Sequence, residues 1–270
     1  MNRIDACFAG LRRHGGKALI PYVTAGDPDG ATTVRLALEF EKRGADLVEL
    51  GVPFSDPLAD GTTIQRASQR ALEGGTTLRA VLAWAAEIRQ ASQIPLVLMS
   101  YVNPLLRMGP AAFAGAAREA GVDGLIVPDL PPEEAGEVLA ANDAAGLATI
   151  FLAAPTSPPE RLRLIAEASR GYIYYVSLKG VTGARTALAR GVADAVRSLR
   201  ALTPKPVAVG FGIATPDQAA AAAAVADGVI VGSAIVDQVE RLRGRAELVE
   251  RVGVFVEGFV RAVRPAPPAA

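Results

Sequence analysis

Three carboxylates stand close together in the segment from residue 47 to residue 61: Glu49 lies inside an apolar run, and Asp56 and Asp60 follow in the adjoining loop. A carboxylate inside a strand is costly to bury unless it is paired, hydrogen-bonded or protonated, so burial raises its pKa. A desolvated Glu49 would exchange protons near neutral pH, while a wetter Asp60 would stay ionised and stabilise a developing positive charge. The alternative is a structural glutamate satisfied by a neighbouring tyrosine or backbone group. With its two neighbouring acids, the segment favours general acid–base catalysis without metal or histidine.

Glycine-rich segments lie at the ends of three consecutive apolar runs late in the chain, at residues 180–183, 210–213 and 232–235. Glycines let backbone N–H groups approach an anion closely, and a short helix after residue 232 would direct its N-terminal dipole at the same place. Each segment alone is weak evidence, because a tight turn also uses glycine. Three of them together favour a phosphate site, and hence a small phosphorylated ligand.

Eight short apolar runs must position these groups; they span residues 18–24, 47–53, 95–101, 124–130, 149–155, 172–178, 206–212 and 228–235. Most are continuous rather than alternating, which is typical of parallel strands buried on both faces. Helix-like stretches lie between them, at residues 32–43, 78–90, 110–120, 133–145, 159–169, 190–202 and 217–225. This alternation predicts an α/β protein with a (β/α)8 barrel, a TIM barrel, rather than an open doubly wound sheet.

The barrel accounts for residues 1–270 as a single domain, because no linker or shift in composition divides the chain. An amphipathic segment around Ile4, Phe8 and Leu11 predicts an extra N-terminal helix that covers the N-terminal end of the barrel. A short helix is expected at the phosphate site, before the last barrel helix, and residues 265–270 are expected to form a frayed tail. Active sites of this fold lie where strands run into the following loops, so the carboxylates and the glycines fall at one end.

The composition excludes several classes of protein. Half of the residues are hydrophobic, which supports a large core and excludes a disordered or collagen-like chain. Lys and Arg total 28, as do Asp and Glu, so no net charge favours nucleic acid or an anionic membrane. With one cysteine and one histidine, a disulfide framework, a zinc site and a Ser-His-Asp triad are all poor candidates. No signal peptide or membrane span is expected, which makes a soluble cytoplasmic protein the default expectation.

The segment from Glu49 to Gly61, ELGVPFSDPLADG, closely resembles the signature of the tryptophan synthase α chain family. Shorter segments resemble the same family in order and spacing: residues 21–28 (PYVTAGDP), 180–183 (GVTG), 210–213 (GFGI) and 232–236 (GSAIV). The resemblance extends from about Phe8 to Val236. It implies a retro-aldol lyase that splits indole-3-glycerol phosphate into indole and glyceraldehyde 3-phosphate.

The resemblance also implies roles for individual residues. Glu49 is the acid and base of the cleavage, while Asp60 holds the indole N–H and offsets charge on the ring. The backbone groups that bind the phosphate are those of Gly183, Gly212, Gly232 and Ser233. The residues near the rest of the substrate are Tyr22, Tyr174, Thr182 and, at a strand end suited to an apolar slot for the ring, Phe211. Thr182 closes a lid against Asp60 and excludes water, whereas Tyr174 is also consistent with an ordinary core tyrosine.

Family members work with a β chain that holds pyridoxal phosphate and condenses the released indole with serine. The resemblance therefore implies an α2β2 heterotetramer and no cofactor in this chain. The residues that such a partner would cover, on loops at the barrel mouth, are Asp56, Pro57, Asn103 and Pro131, which turns explain equally well. The chain departs from the common family pattern at Tyr22, where phenylalanine is frequent, and at Thr62, where proline is usual. Neither departure removes a carboxylate or a glycine of the site.

Three other functions remain open at this point. A stand-alone indole-releasing lyase would have the same loop chemistry and would differ by its activity without a partner. A non-catalytic barrel that only activates a β-type partner could lose Glu49 and Asp60 without penalty, so their presence argues against it. Another phosphate-binding barrel enzyme, such as an isomerase or an epimerase, is disfavoured because epimerases of this fold typically need histidine and metal ligands.

Overall fold

The computed structural model describes residues 2–176, 185–210 and 212–264. The strands of this part of the chain are β1 (Ala18–Thr24), β2 (Val48–Gly51), β3 (Leu96–Met99), β4 (Gly124–Ile126), β5 (Ala148–Ile150), β6 (Leu152–Ala153), β7 (Ile173–Val176), β8 (Val207–Gly210) and β9 (Gly228–Val231). Its helices are α1 (Arg3–Arg13), α2 (Gly30–Lys42), α3 (Thr62–Glu73), α4 (Leu78–Ala91), α5 (Val102–Met108), α6 (Pro110–Glu119), α7 (Gly136–Ala145), α8 (Pro159–Ala168), α9 (Arg185–Leu202), α10 (Pro216–Ala223), α11 (Ser233–Leu242) and α12 (Leu248–Val263).

The strands are parallel neighbours in the order β5-β4-β3-β2-β1-β9-β8-β7-β6. The two ends of that order, β5 and β6, are pieces of one segment interrupted only at Phe151, whose carbonyl accepts a hydrogen bond from the Tyr174 N–H at 3.1 Å. The sheet thereby closes, and the predicted (β/α)8 barrel is confirmed. The prediction of one continuous fifth strand over residues 149–155 is wrong, because an apolar run does not reveal a break in the hydrogen-bond ladder.

Strand side chains alternate between an outer and an inner core. On β2, Val48 and Leu50 pack outward among the helices, while Glu49 between them points into the barrel. On β1, Leu19 packs outward and Ile20 packs inward. This alternation follows from the two-residue period of a strand, and it decides which side chains can reach the mouth of the barrel.

Helix α1 closes the N-terminal end of the barrel, as predicted. The Asn2 side chain caps it by accepting a hydrogen bond from the Ile4 N–H at 2.9 Å. Ile4 and Phe8 are buried in the inner core together with Tyr172. Glycines make room for this helix, since a Cβ at Gly124 would lie 2.8 Å from the Ile4 Cδ1. The opposite end of the barrel is therefore the one left open for a ligand.

Two helices were not predicted from the sequence, α3 and α5. Most residues of α3 are polar and its buried face consists largely of small side chains, so the segment has few of the large apolar residues that mark the other helices in the sequence. The helix predicted to begin at residue 133 begins at Gly136, after a turn. The short helix expected before the last barrel helix is α11, which is followed by α12. Among the described residues, no helix combines the length and the apolar character needed to cross a membrane.

Candidate active site

A cavity of about 240 Å³ opens at the C-terminal ends of the strands. It is lined by all seven described residues that were predicted to act in catalysis or substrate binding: Glu49, Asp60, Tyr22, Tyr174, Gly212, Gly232 and Ser233. The other residues of its lining are Gly61, Thr62, Thr63, Ile64, Met99, Ile213 and Ile230. Residues far apart in the chain meet here because closure of the barrel brings the ends of its strands to one mouth.

Glu49 lies on β2 at the bottom of this cavity, beside Tyr22 of β1 and Val97 of β3. Its side chain is buried, and its Oε2 atom has no hydrogen-bond partner within the described part of the chain. Burial, and secondly the negative charge of Asp60, raises the pKa of Glu49 to about 8. The carboxyl group therefore holds its proton at neutral pH and can give it to a bound ligand.

Asp60 lies on the loop after β2, immediately before α3, on the wall of the same cavity. Burial raises its pKa to about 6, and a hydrogen bond from Tyr101 opposes that rise. At neutral pH Asp60 is therefore ionised while Glu49 is protonated. One cavity therefore holds a proton donor, Glu49, and a negative charge, Asp60. These are the two roles that the sequence analysis expected for these carboxyl groups.

Tyr101, just after β3, is a residue of this site that the sequence analysis missed. Its hydroxyl accepts a hydrogen bond from the Ala59 N–H at 3.0 Å and donates one to Asp60. Its ring stacks on that of Phe54, with the ring centroids 5.2 Å apart. Tyr101 thus holds both ends of the loop that carries Asp60. Its place at the end of the third apolar run is the signal that could have found it.

Glycines on the neighbouring strands leave room for the two predicted tyrosines. A Cβ at Gly51 would lie 2.5 Å from the Tyr22 Cζ, and a Cβ at Gly210 would lie 2.7 Å from the Tyr174 Cζ. Both rings are buried and lie across the flat backbone of the next strand. Glycine at these two positions is therefore required by the tyrosine rings, whatever its role in ligand binding.

Tyr172 is a second residue that the sequence analysis did not assign to the site. It is fully buried in the inner core, 5.6 Å from the ring of Phe8 between centroids. Its hydroxyl has no hydrogen-bond partner among the described residues, and its pKa is raised by burial and then by the charge of Glu49. Tyr172 therefore lies in the apolar layer between Glu49 and helix α1, outside the lining of the cavity.

The far wall of the cavity has the features of an anion site. Helix α11 begins at Ser233, with Gly232 as its N-cap and no side chain capping its first turn. The N–H groups of a first turn have no partner within the helix, and the helix dipole favours an anion there. Gly212, on the adjoining loop, has a φ of 74°, a conformation that favours glycine. The predicted phosphate residues within the described chain thus share one wall.

Comparison with known proteins identifies the family. The family model described as tryptophan synthase alpha chain matches residues 8–264. The chain belongs to the tryptophan synthase alpha chain family. It is similar to the tryptophan synthase alpha chain of Geobacter sp. strain M21, with 53% identity over 263 residues that cover 97% of this chain and 98% of the relative.

Solved structures of the family agree with this fold. Tryptophan synthase subunit alpha from Legionella pneumophila superposes with a TM-score of 0.90 at 39% identity, covering 97% of this chain and 98% of that one. A chain of Mycobacterium tuberculosis tryptophan synthase superposes with a TM-score of 0.89 at 40% identity, covering 98% and 99%. As a tryptophan synthase alpha chain, the protein is a lyase that cleaves indole-3-glycerol phosphate. Family membership also implies a beta-chain partner.

The remaining residues assigned by the family resemblance fall outside this cavity or outside the described chain. Those outside the described residues are Thr182, Gly183 and Phe211. Asp56 and Pro57 line a separate open groove of about 600 Å³ between the β2 loop and α3, next to Leu58, which is 92% exposed. Asn103 is exposed on α5, and Pro131 is half-buried after β4. The first residue of α5 contacts the loop after β4: Asp129 in that loop accepts a hydrogen bond from the Val102 N–H at 2.9 Å.

Proposed function

We propose that Glu49 and Asp60 together carry out the retro-aldol cleavage of indole-3-glycerol phosphate. The observation that carries this proposal is the pair of carboxyl groups on one cavity, with the pKa of Glu49 raised to about 8 and that of Asp60 to about 6. Cleavage needs a proton donor at ring carbon C3 and a negative charge beside the ring nitrogen. The pair supplies both at neutral pH.

The reaction follows from these two protonation states. Glu49 gives its proton to C3 of the ring, and positive charge spreads to the ring nitrogen. Asp60 stabilises that charge by accepting a hydrogen bond from the ring N–H. The Glu49 carboxylate then takes the proton of the hydroxyl on the carbon attached to C3. As that carbon becomes an aldehyde, its bond to C3 breaks and the electron pair returns to the ring. Indole and glyceraldehyde 3-phosphate are released, and Glu49 ends protonated as it began.

The anion wall would hold the other end of the substrate. The phosphate binds at the N-terminus of α11, on Gly232 and Ser233, and on the Gly212 backbone, with Gly183 contributing by family position. Tyr22 and Tyr174 flank the three-carbon chain and the ring, and Phe211 covers the ring by family position. Thr182 would close over Asp60 and exclude water, which strengthens the electrostatic interactions inside the cavity.

A tryptophan synthase β chain would take up the released indole. The stoichiometry proposed is α2β2, with pyridoxal phosphate held by the β chain and no cofactor in this chain. Support comes from the exposed residues of the mouth-side loops, among them Asp56 and Asn103, with Pro57 and Pro131 beside them. The open groove beside Asp56, with its exposed leucine, offers apolar surface that a partner would cover. We place this complex in the cytoplasm.

The test is indole release from indole-3-glycerol phosphate by the purified chain, with and without an added β chain. Slow release that rises strongly with the partner supports both the lyase and the complex, whereas fast release by the chain alone favours a stand-alone lyase. The variants Glu49→Gln and Asp60→Asn should each lose activity by about 100-fold or more. The control Glu134→Gln removes an exposed carboxylate outside the cavity. Full activity of Glu49→Gln would overturn the proposal.

A further inference from the structure

Helix α3 is joined to α11 and to the segment after β1 by a network of ion pairs. The Arg70 guanidinium binds both carboxylate oxygens of Asp27, at 2.9 and 2.6 Å, and its third nitrogen binds Glu240 Oε1 at 2.9 Å. Arg66, one helical turn earlier, binds Glu240 Oε2 at 2.9 Å. Glu240 therefore accepts hydrogen bonds from two arginines of α3, and Arg70 links two acids from different elements.

The part of the network formed by Asp27 and Arg70 is withdrawn from solvent, whereas the side chain of Arg66 is 52% exposed. The side chain of Asp27 is 2% exposed, that of Arg70 14% and that of Glu240 31%. A buried ion pair that loses one partner leaves an uncompensated charge, so its members are held in one arrangement more strictly than exposed pairs are. The bidentate geometry of Arg70 adds a preferred orientation to that restraint. The network thus acts as a rigid link between the elements that it joins.

The two helices joined in this way both line the cavity. Helix α3 follows Asp60 directly, and its first turn lines the cavity. Helix α11 begins at Ser233, on the anion wall. One turn deeper the helices share an apolar cluster that contains Ile64, Ala67 and Val236. The ion pairs lie on the side of that cluster away from the helix N-termini. They join α3 to α11 there, so the N-termini of the two helices are held at a fixed distance from each other.

We propose that Glu240 and Arg70 are positioning residues that set the separation between Asp60 and the N-terminus of α11. The inference rests on the proposed function, in which Asp60 holds the indole ring and α11 holds the phosphate. A ligand that occupies only one end does not sense this separation. A ligand that spans both ends does, so the network makes the site selective for an indole ring and a phosphate joined by a chain of three carbons.

Glu240→Gln tests this link, with Glu257→Gln as its matched control. Glu257 lies on α12, pairs with Arg43 of α2 and with Arg261, and has a side chain 25% exposed, away from the cavity. Both substitutions remove the charge of a half-buried glutamate shared by two arginines. The urea midpoints of the two variants show whether they lose similar stability, which separates positioning from folding.

The decisive readout compares ligands that span the cavity with ligands that do not. Binding of 3-indolylpropyl phosphate, which has the three-carbon chain without the reacting hydroxyl, is measured by calorimetry, and binding of inorganic phosphate by NMR titration. Glu240→Gln should weaken the spanning ligand about 3- to 30-fold and change phosphate binding less than about twofold. It should also reduce the preference for a three-carbon chain over two- and four-carbon analogues, and Glu257→Gln should change none of these values.

Two outcomes would overturn the inference. Equal affinities of Glu240→Gln and Glu257→Gln for 3-indolylpropyl phosphate would mean that the ion pairs of Glu240 do not set the separation between Asp60 and α11. Equal weakening of phosphate and of the spanning ligand would mean that Glu240 shapes the anion wall alone. Failure of the proposed function is a separate result, because the unaltered protein would then neither bind 3-indolylpropyl phosphate nor release indole.

Discussion

Replacing Glu49 by glutamine should abolish cleavage and, at alkaline pH, make the folded protein more stable. Glutamine has nearly the same size and fits the same place on β2, but it cannot ionise. Glu49 is buried, and the pKa of its carboxyl group is raised from 4.5 to about 8. Ionisation of this group is therefore unfavourable in the folded state and free in the unfolded chain, so the catalytic group carries a pH-dependent cost.

The sign and the size of that cost follow from proton linkage. Between the two pKa values the folded state binds the proton and the unfolded state does not, so the folded state loses stability as the pH rises. The loss begins near the unfolded pKa of 4.5 and levels off above the folded pKa of about 8. From about pH 5 to about pH 8.5 it amounts to about 4 kcal/mol. Asp60 also titrates with a raised pKa, but it is present in both proteins and largely cancels in their difference.

The assay is urea unfolding of the unaltered protein and of Glu49→Gln across that pH range. The difference between the two free energies of unfolding should widen by about 4 kcal/mol in favour of the variant as the pH rises. Glu134→Gln, which removes an exposed carboxylate, should give a curve parallel to that of the unaltered protein. Parallel curves for Glu49→Gln as well would refute the argument that Glu49 is buried and protonated at neutral pH.

Three further substitutions test other parts of the structure. Gly51→Ala should lower kcat/KM about tenfold or more, because its Cβ would displace the tyrosine ring of β1; Gly115→Ala, with open space around its Cβ, should leave kinetics unchanged. Tyr101→Phe removes a hydrogen bond that lowers the pKa of Asp60, so the acid limb of the pH–rate profile should move above about 6; an unmoved limb would contradict this assignment. Arg89→Met removes one of the two arginines that pair with buried Asp123 at the N-terminal end of the barrel and leaves the pair with Arg3. It should cost about 2 kcal/mol of unfolding free energy while KM stays within about twofold, and a raised KM would show that this pair also affects substrate binding.

Local patterns in the sequence determined the architecture and the identity of the reacting groups. The continuous apolar runs and the helices between them predicted the barrel, because burial on both faces and helical period leave a trace in neighbouring residues. Glu49 was found because a carboxylate inside such a run is a local anomaly. Gly232 and Ser233 were found because glycine and a helix start are local signals as well. The family motifs indicated the substrate, which the periodicity of strands and helices cannot indicate.

Tertiary structure alone decided how these groups are tuned and held. The order of the two carboxyl pKa values depends on burial and on Tyr101, which is 41 residues away from Asp60 in the sequence. Closure of the barrel at Phe151 and the packing of Tyr172 between Glu49 and helix α1 depend on strands that meet only when the sheet is complete. The link from α3 to Glu240 spans 170 residues. A single sequence records the composition and period of each element, whereas the distances between elements, and with them desolvation and charge pairing, exist only once the barrel has closed.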